Sequence, residues 1–344
     1  MRVLVVKLSS LGDVIQTLPV LHDLHLHRPG AAVDWVVEEA FAPLLGCVRG
    51  VDRVLAIGER RWRRRPFDAA VRAERRAFRA RLGEAAYDAV IDFQGLIKSA
   101  LVARRARLSA DGHRYSYANR SELCGYEWPV RYLVDRPIAM ERRVHAIRRY
   151  RLLAARALGY DIGTSPDRVE WRFEAPLPGN DVLFAHGTTR SDNEWPEAAW
   201  IELGRRLVVD GARILLPQSG VVEAARVGRI AAAIGAGAEV LAPMSFDALA
   251  RRMAACRGVI GVDSGGPLGL PSLALVLVAY LASLSEGRVW SSHVLLPLAV
   301  ALIGSAGLYS TINRIIRDYR CYRSAMHSTN CARLGCDPPG SACP

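Results

Sequence analysis

Lysine is nearly missing from this sequence: of 46 Lys and Arg residues, only Lys7 and Lys98 are lysines. The positive charge is therefore carried by guanidinium groups, which favour forked contacts to phosphate and carboxylate. Cysteine is sparse too. Seven cysteines in 344 residues are too few and too scattered to frame a disulfide-built domain. Cys47, Cys124 and Cys256 stand alone, as in a reduced cytosolic protein. Cys321, Cys331, Cys336 and Cys343 fall within the last 24 residues, at spacings that match no standard zinc pattern. The first 21 residues are apolar but are interrupted by Lys7 and Asp13, so a signal peptide is not expected. There is no short-period repeat, and the glycine spacing after the first apolar run is not GxGxxG, which disfavours a dinucleotide.

What is present points to a folded chain. Hydrophobic residues make up 51% and charged residues 23%, which excludes disorder, collagen and coiled coil. At roughly 150 residues per domain, the length predicts about two domains, each large enough for a core. The formal net charge of +12 admits three kinds of partner: nucleic acid, an anionic membrane surface, or an anionic small substrate.

Short apolar runs alternate with helical patterns. Residues 2–7 read as a buried parallel strand, followed by strands over 32–37, 53–57 and 87–92, with helices over 14–26 and 67–86. The pattern restarts at residue 181. Strands over 181–185, 212–216, 238–241 and 258–262 alternate with helices over 198–210, 222–234 and 246–255. The expected class is α/β, with two Rossmann-like doubly wound domains facing a cleft. Residues 1–160 would form the first, 161–180 a Pro- and Gly-containing linker, and 181–285 the second. Two charge-free stretches, 268–285 and 289–312, approach the roughly 20 residues that span a bilayer. Residues 286–344 read as an atypical tail.

Ser9-Ser10-Leu11-Gly12-Asp13 follows the first strand, where ligands bind in open α/β sheets. Asp13, at the start of a helix, is either an N-terminal capping carboxylate or a general base facing the cleft. Residues 60–81 hold ten arginines against Asp68 and Glu74, a net of +8 in 22 residues, with Trp62 and Phe67 interleaved. That stripe suits a solvated helix face, nucleic acid, or a ligand rich in phosphates and carboxylates. His186-Gly187-Thr188-Thr189-Arg190 follows the first strand of the second unit. There, hydroxyls and backbone N–H groups either hold a diphosphate or cap a loop.

Together these segments resemble one family. VVKLSSLGDVIQTLPVL near the start, DWVVEEAF at 34–41, RRWRRR at 60–65 and DFQGLIKSAL at 92–101 are followed by HGTTRSDNEWPE at 186–197 and GVDSG at 261–265. Their kind and order are similar to those of glycosyltransferase family 9, the heptosyltransferases of the lipopolysaccharide inner core. The DWVVEEAF and RRWR segments point to the branch that acts first in that pathway. The resemblance implies an inverting transferase of the two-domain GT-B fold. It would move L-glycero-D-manno-heptose from ADP-heptose to the Kdo (3-deoxy-manno-octulosonic acid) of Kdo2-lipid A. The site would be peripheral, at the cytoplasmic face of the inner membrane, with no metal, no cofactor and no nucleic acid involved.

The resemblance also implies roles. Asp13 takes the general-base position, with Ser10 and Gly12 beside the acceptor. Arg60, Arg63 and Arg64 match basic acceptor-binding positions, and Lys98, Arg120 and Arg149 are further candidates for that task. On the donor side, Thr188 and Thr189 would contact the ADP phosphates, with Arg190 and Asn193 in the same loop. Glu223 would bind the ribose and Met244 would lie near the adenine. Asp263, Ser264 and Gly265 would contact the donor's sugar and phosphates.

The sequence departs from the family in two places. Asn193 stands where the family has a lysine beside the leaving diphosphate. After Gly265, where the family continues with a helix bearing a donor-contacting histidine, the chain runs Gly266-Pro267 and then LGLPSLAL. From Val276 onward the resemblance ends. The tail is then a fused or frameshifted end, a membrane hairpin with positively charged flanks, or a divergent last layer of the domain. The altered donor side also leaves room for a relative that binds acceptor without transferring to it.

Overall fold

The computed structural model describes residues 1–121, 125–174, 177–187 and 194–262. The first unit runs β1 (Arg2–Val6), α1 (Leu11–Thr17), α2 (Pro19–His27), β2 (Ala32–Glu38), α3 (Ala42–Gly46), β3 (Arg53–Ile57) and α4 (Glu59–Arg64). It continues with α5 (Ala69–Gly83), β4 (Ala86–Asp92), α6 (Ile97–Arg105), β5 (Arg107–Tyr117), β6 (Arg136–Ile138) and α7 (Ala146–Leu158). The second runs β7 (Asp181–Ala185), α8 (Glu197–Val209), β8 (Arg213–Leu216), α9 (Gly220–Ile234), β9 (Ala238–Val240), α10 (Phe246–Ala254) and β10 (Gly258–Gly261).

Every strand pair among the described residues is parallel. The first sheet has the order β3-β2-β1-β4-β5-β6 and the second β10-β7-β8-β9. The strand order therefore reverses between β1 and β4 in one sheet, and between β7 and β10 in the other. At such a reversal the carboxyl ends of the strands open a crevice. The central strands are covered on both faces. Val3 and Val5 of β1 enter one apolar cluster while Leu4 and Val6 enter the opposite one. In β7, Val182 and Phe184 divide from Leu183 and Ala185 in the same way. This is strand alternation under two layers of helices.

Several expected elements are cut differently. The helix expected over 14–26 is two helices, because Pro19 lacks an N–H and takes the first position of α2. The helix expected over 67–86 begins after Asp68, whose carboxylate accepts from the N–H groups of Ala70 and Val71 at 2.7 and 3.4 Å. Pro66 separates it from α4. The strands β5 and β6 and the helices α6 and α7 were not expected. β5 mixes polar and apolar residues without clean alternation, and its register against β4 shifts between Tyr87 and Ala89. At Gly112 a Cβ would collide with the Tyr87 carbonyl.

The described part of 161–180 has no regular element, yet it is docked. Trp171 forms an antiparallel bridge with Val48, and the Arg172 guanidinium donates to the carbonyls of Val48 and Val51 at 3.0 and 2.6 Å. Helix α10 reaches the same region. Phe246 lies 5.8 Å from Phe41 between ring centroids, and the Arg251 guanidinium sits 4.7 Å over the Phe173 ring. The stretches 268–285 and 289–312, the tail and its cysteines lie outside the described residues. No described helix is long and apolar enough to cross a membrane.

Candidate active site

The first crevice is built around Asp13. β1 ends at Val6, Lys7 follows, and α1 begins at Leu11, which puts Asp13 in the first turn of that helix. Its Oδ2 accepts from the backbone N–H and the hydroxyl of Ser10, at 3.0 and 3.1 Å. Its Oδ1 accepts from the Tyr150 hydroxyl of α7 at 2.8 Å and lies 3.7 Å from Lys7 Nζ. The Asp13 side chain is 33% exposed, whereas that of Lys7 is 4% exposed. The carboxylate thus caps its helix and still reaches solvent. Burial raises its pKa, but Lys7, Tyr150 and Ser10 outweigh burial and hold it below the usual carboxylate range. It is ionised at neutral pH, as a base has to be.

Asp92, at the end of β4 beside β1, is the opposite case. It is fully buried, and burial pushes its pKa up to about 6 against the N–H of Gln94, the hydroxyl of Ser99 and the N–H of Gly95. Those three donors lie 2.9, 3.0 and 3.3 Å from its oxygens. Asp92 therefore shapes the turn after β4. The turn aims Gln94, whose Oε1 accepts from the N–H groups of Leu8 and Ser9 at 3.2 and 3.1 Å. In this way the DFQG segment fixes the loop that carries Ser10 and Asp13.

The arginine stripe divides into anchored and exposed residues. Arg61 forks to Glu39 at 3.0 and 2.9 Å and to Glu74 at 3.0 and 2.7 Å. Trp62 is buried, and its indole N–H donates to Glu74 at 2.7 Å. The N–H of Arg60 donates to Glu38 at 3.1 Å. These bonds tie α4 to the DWVVEE segment and to α5. Arg60, Arg63 and Arg64 are exposed beside that anchor, and Arg63 and Arg64 have no ion-pair partner among the described residues. Lys98 is half-buried in the first turn of α6, and Arg120 is exposed after β5. Arg149 is 1% exposed, with its guanidinium 5.1 Å from the Tyr150 ring.

Fewer residues of the second crevice are among those described. His186 follows β7 and is 1% exposed. Its Nε2 is 2.9 Å from the Pro217 carbonyl. A carbonyl only accepts, so Nε2 carries the proton and Nδ1 is an acceptor, one with no partner among the described residues. Burial, in the main, lowers the His186 pKa, so the ring is neutral at neutral pH. Glu223 is in the first turn of α9, and its Oε2 accepts from the N–H and hydroxyl of Ser219 at 2.7 and 2.9 Å. A Cβ on Gly187 would come within 2.5 Å of Glu223 Oε1, so glycine lets this carboxylate lie over the end of β7. Met244 is exposed in the loop between β9 and α10. Thr188, Thr189, Arg190, Asn193, Asp263, Ser264 and Gly265 lie outside the described residues. Among those described, no cluster of His, Cys, Asp and Glu is arranged to hold a metal ion.

The sequence reading missed Tyr150, Gln94, Asp92 and Arg61 as supports. Gln94 had a usable signal, since it lies two residues past a strand that flanks the reversal. Tyr150 had none: 137 residues separate it from Asp13.

Comparison with known proteins gives the family of the chain. The model of glycosyltransferase family 9 (heptosyltransferase) matches residues 75–267. Lipopolysaccharide heptosyltransferase 1 of Escherichia coli K12 is 42% identical over 271 residues, covering 77% of this chain and 82% of the relative. The enzyme of that name from Pseudomonas aeruginosa is 38% identical over 291 residues, covering 80% and 78%. Among solved structures, E. coli heptosyltransferase WaaC with ADP-2-deoxy-2-fluoro heptose superposes with a TM-score of 0.71 at 36% identity, covering 82% of this chain and 86% of that one. E. coli heptosyltransferase II shares the fold, with a TM-score of 0.60 at 21% identity. At these identities and coverages the chain belongs to glycosyltransferase family 9, the heptosyltransferases, on its heptosyltransferase I side, and is a glycosyltransferase of the GT-B fold.

Proposed function

We propose that this chain moves L-glycero-D-manno-heptose from ADP-heptose to a Kdo hydroxyl of Kdo2-lipid A, with inversion, in synthesis of the lipopolysaccharide inner core. The hydroxyl oxygen bonds to the anomeric carbon of the heptose. The bond from that carbon to the diphosphate breaks, ADP leaves with the electron pair, and the hydroxyl proton passes to Asp13. The observation that carries this reading is Asp13 itself, an ionised and partly exposed carboxylate at the strand reversal of the first sheet. The heptosyltransferase 1 relatives support the choice of sugar and pathway. The neighbouring structure with an ADP-heptose analogue supports the choice of donor.

Arg60, Arg63 and Arg64 then meet the acceptor's phosphates and carboxylates by forked contacts. An acceptor anchored in lipid puts the enzyme at the cytoplasmic face of the inner membrane, bound peripherally. Ser10 and Gly12 line the acceptor side, with Lys98 and Arg120 as outlying cations. On the donor side Glu223 takes the ribose hydroxyls and Met244 the adenine. Thr188, Thr189, Arg190, Asp263, Ser264 and Gly265 take the sugar and diphosphate, and Asn193 supplies a neutral contact where relatives use a cation.

The test is binding and transfer of ADP-heptose to Kdo2-lipid A by the purified chain and by Asp13→Ala. Loss of a general base lowers turnover by about 100- to 10,000-fold. Wild-type transfer that survives Asp13→Ala undiminished would sink the role of Asp13. Acceptor binding without donor binding would instead select a relative that only captures acceptor, the reading that Asn193 favours.

A further inference from the structure

We infer that Tyr150 is a positioning residue for the base, its hydroxyl holding Asp13 Oδ1 so that Oδ2 is the oxygen turned to the acceptor hydroxyl. The inference rests on the reading of Asp13 as base. Tyr150 is 1% exposed and its hydroxyl lies 2.8 Å from Oδ1. The direction of that bond follows from its neighbours. Lys7 Nζ lies 3.1 Å from the same phenol oxygen and 4.7 Å from the ring centroid. An ammonium only donates, so the phenol oxygen accepts from Lys7 and its single proton goes to Asp13. A chain of donors thus runs from the buried Lys7 to the buried Tyr150 and on to Oδ1 of the partly exposed Asp13.

Oδ2, by contrast, is met by Ser10, which is half-buried at the open end of α1. The carboxylate torsion has a broad minimum of its own, so the two ends need different partners to fix it. Tyr150 itself is fixed by an edge contact to Phe93, with ring centroids 6.3 Å apart at 78°. The Arg149 guanidinium sits 5.1 Å from the centroid of the same ring. Burial and the adjacent Asp13 carboxylate push the phenol well above its usual range, so it keeps the proton it donates. A bond donated to the charged form of Asp13 also favours that form, and helps return the proton to solvent after each transfer.

The titratable and charged groups around the pair are Lys7 just after β1, Arg149 on α7, Tyr117 on β5 and Asp92 on β4. Asp92 is the other carboxylate among them, pushed up to about 6 where Asp13 is held below the usual range, and none of its oxygens is bonded to Tyr150.

The experiment uses the full chain with Tyr150→Phe, which keeps the ring and removes the donor. The expected result is a fall in kcat of about tenfold or more, with both KM values within about twofold. The acid limb of the kcat profile moves to higher pH, because the carboxylate has lost a donor to its charged form. Carboxyl 13C NMR follows Asp13 directly and separates it from Asp92. Its midpoint should rise in Tyr150→Phe. It should fall when Tyr150 is replaced by 3,5-difluorotyrosine, a stronger donor of nearly the same shape, which also decides the matter should the phenylalanine variant fail to fold. An Asp13 midpoint unmoved by the replacements, or wild-type kcat and acid limb in Tyr150→Phe, overturns the inference. If Asp13→Asn retains full transfer, it is the base reading that fails, and the NMR titration still reports the Tyr150 bond.

Discussion

The two strand reversals use one topology for opposite ends. Beside β1, polar groups of the protein hold one another in place: Tyr150 and Ser10 donate to Asp13, Lys7 donates to Tyr150, and Asp92 holds the turn whose Gln94 accepts from the loop before Ser10. Beside β7, the described side chains are fewer, and one buried acceptor, His186 Nδ1, has no described partner. Glu223 is held at one oxygen by Ser219, and it is half-buried at the surface. A group that must accept a proton at a fixed point needs its geometry settled before substrate arrives. A group that grips a ribose needs lone pairs left over for the ligand. The contrast predicts that chemistry is sensitive at the first crevice and binding at the second.

The largest test of that contrast pairs Asp13→Asn with Glu223→Gln. Asp13→Asn keeps the shape and removes the base, so kcat should fall by about 1,000-fold with KM little changed. Glu223→Gln should leave kcat within a few-fold and raise the KM for ADP-heptose by about tenfold, the cost of weakening one charged hydrogen bond. Steady-state kinetics on both variants decides. A kcat collapse in Glu223→Gln, or a pure KM effect in Asp13→Asn, would break the division of labour.

A smaller effect separates the two carboxylates within the first crevice. Asp92 has a folded pKa of about 6, above the value near 3.9 of an unfolded chain. Its stabilising contribution is complete below about pH 4 and is lost as pH rises through about 6, an effect of about 3 kcal/mol at most. Asp13 runs the other way, since its folded pKa is lowered: its contribution is present at neutral pH and is lost as pH falls into the acid range. Asp92→Asn cannot titrate. Urea unfolding of this variant and the wild type at pH 4.5 and 7 should show a wild-type loss of stability on raising the pH that the variant lacks. Equal pH slopes in the two proteins would mean that Asp92 is not held as described.

How much of this was legible in the sequence depended on distance along the chain. The short strands at 53–57 and 181–185 were read to the residue, because apolar runs bounded by turn residues leave little choice. β5 was not read, since its eleven residues carry charges and a glycine, and its pairing is set by β4. Asp13 was placed at a strand end from local order alone. Its partners were not: Lys7 is six residues away, but Tyr150 arrives through the packing of α7 on α1, which no local pattern encodes. The arginine stripe was read as one charged surface. Glu39 and Glu74, from other elements, take Arg61 out of it and leave Arg63 and Arg64 exposed. The resemblance supplied roles for residues whose local setting is ordinary, Glu223 and Met244 among them.

The smallest effect sharpens the comparison through Gly187. An alanine Cβ there would stand 2.5 Å from Glu223 Oε1, which is too close for either atom to stay. The obstacle is the tip of a flexible side chain at the surface, with no backbone atom of the described residues within contact distance. The fold should therefore yield by swinging Glu223 off Ser219, at a stability cost below about 1 kcal/mol. Gly187 lacks a positive φ, so the backbone adds no strain of its own. What is lost is the placement of the carboxylate, and the KM for ADP-heptose should rise several-fold with kcat held. Gly187→Ala combined with Glu223→Gln should then cost little more than Glu223→Gln alone, since both act on one group. A melting temperature lowered by many degrees would show instead that the end of β7 is as rigid as the end of β1, and that the second crevice is built by the same close packing as the first.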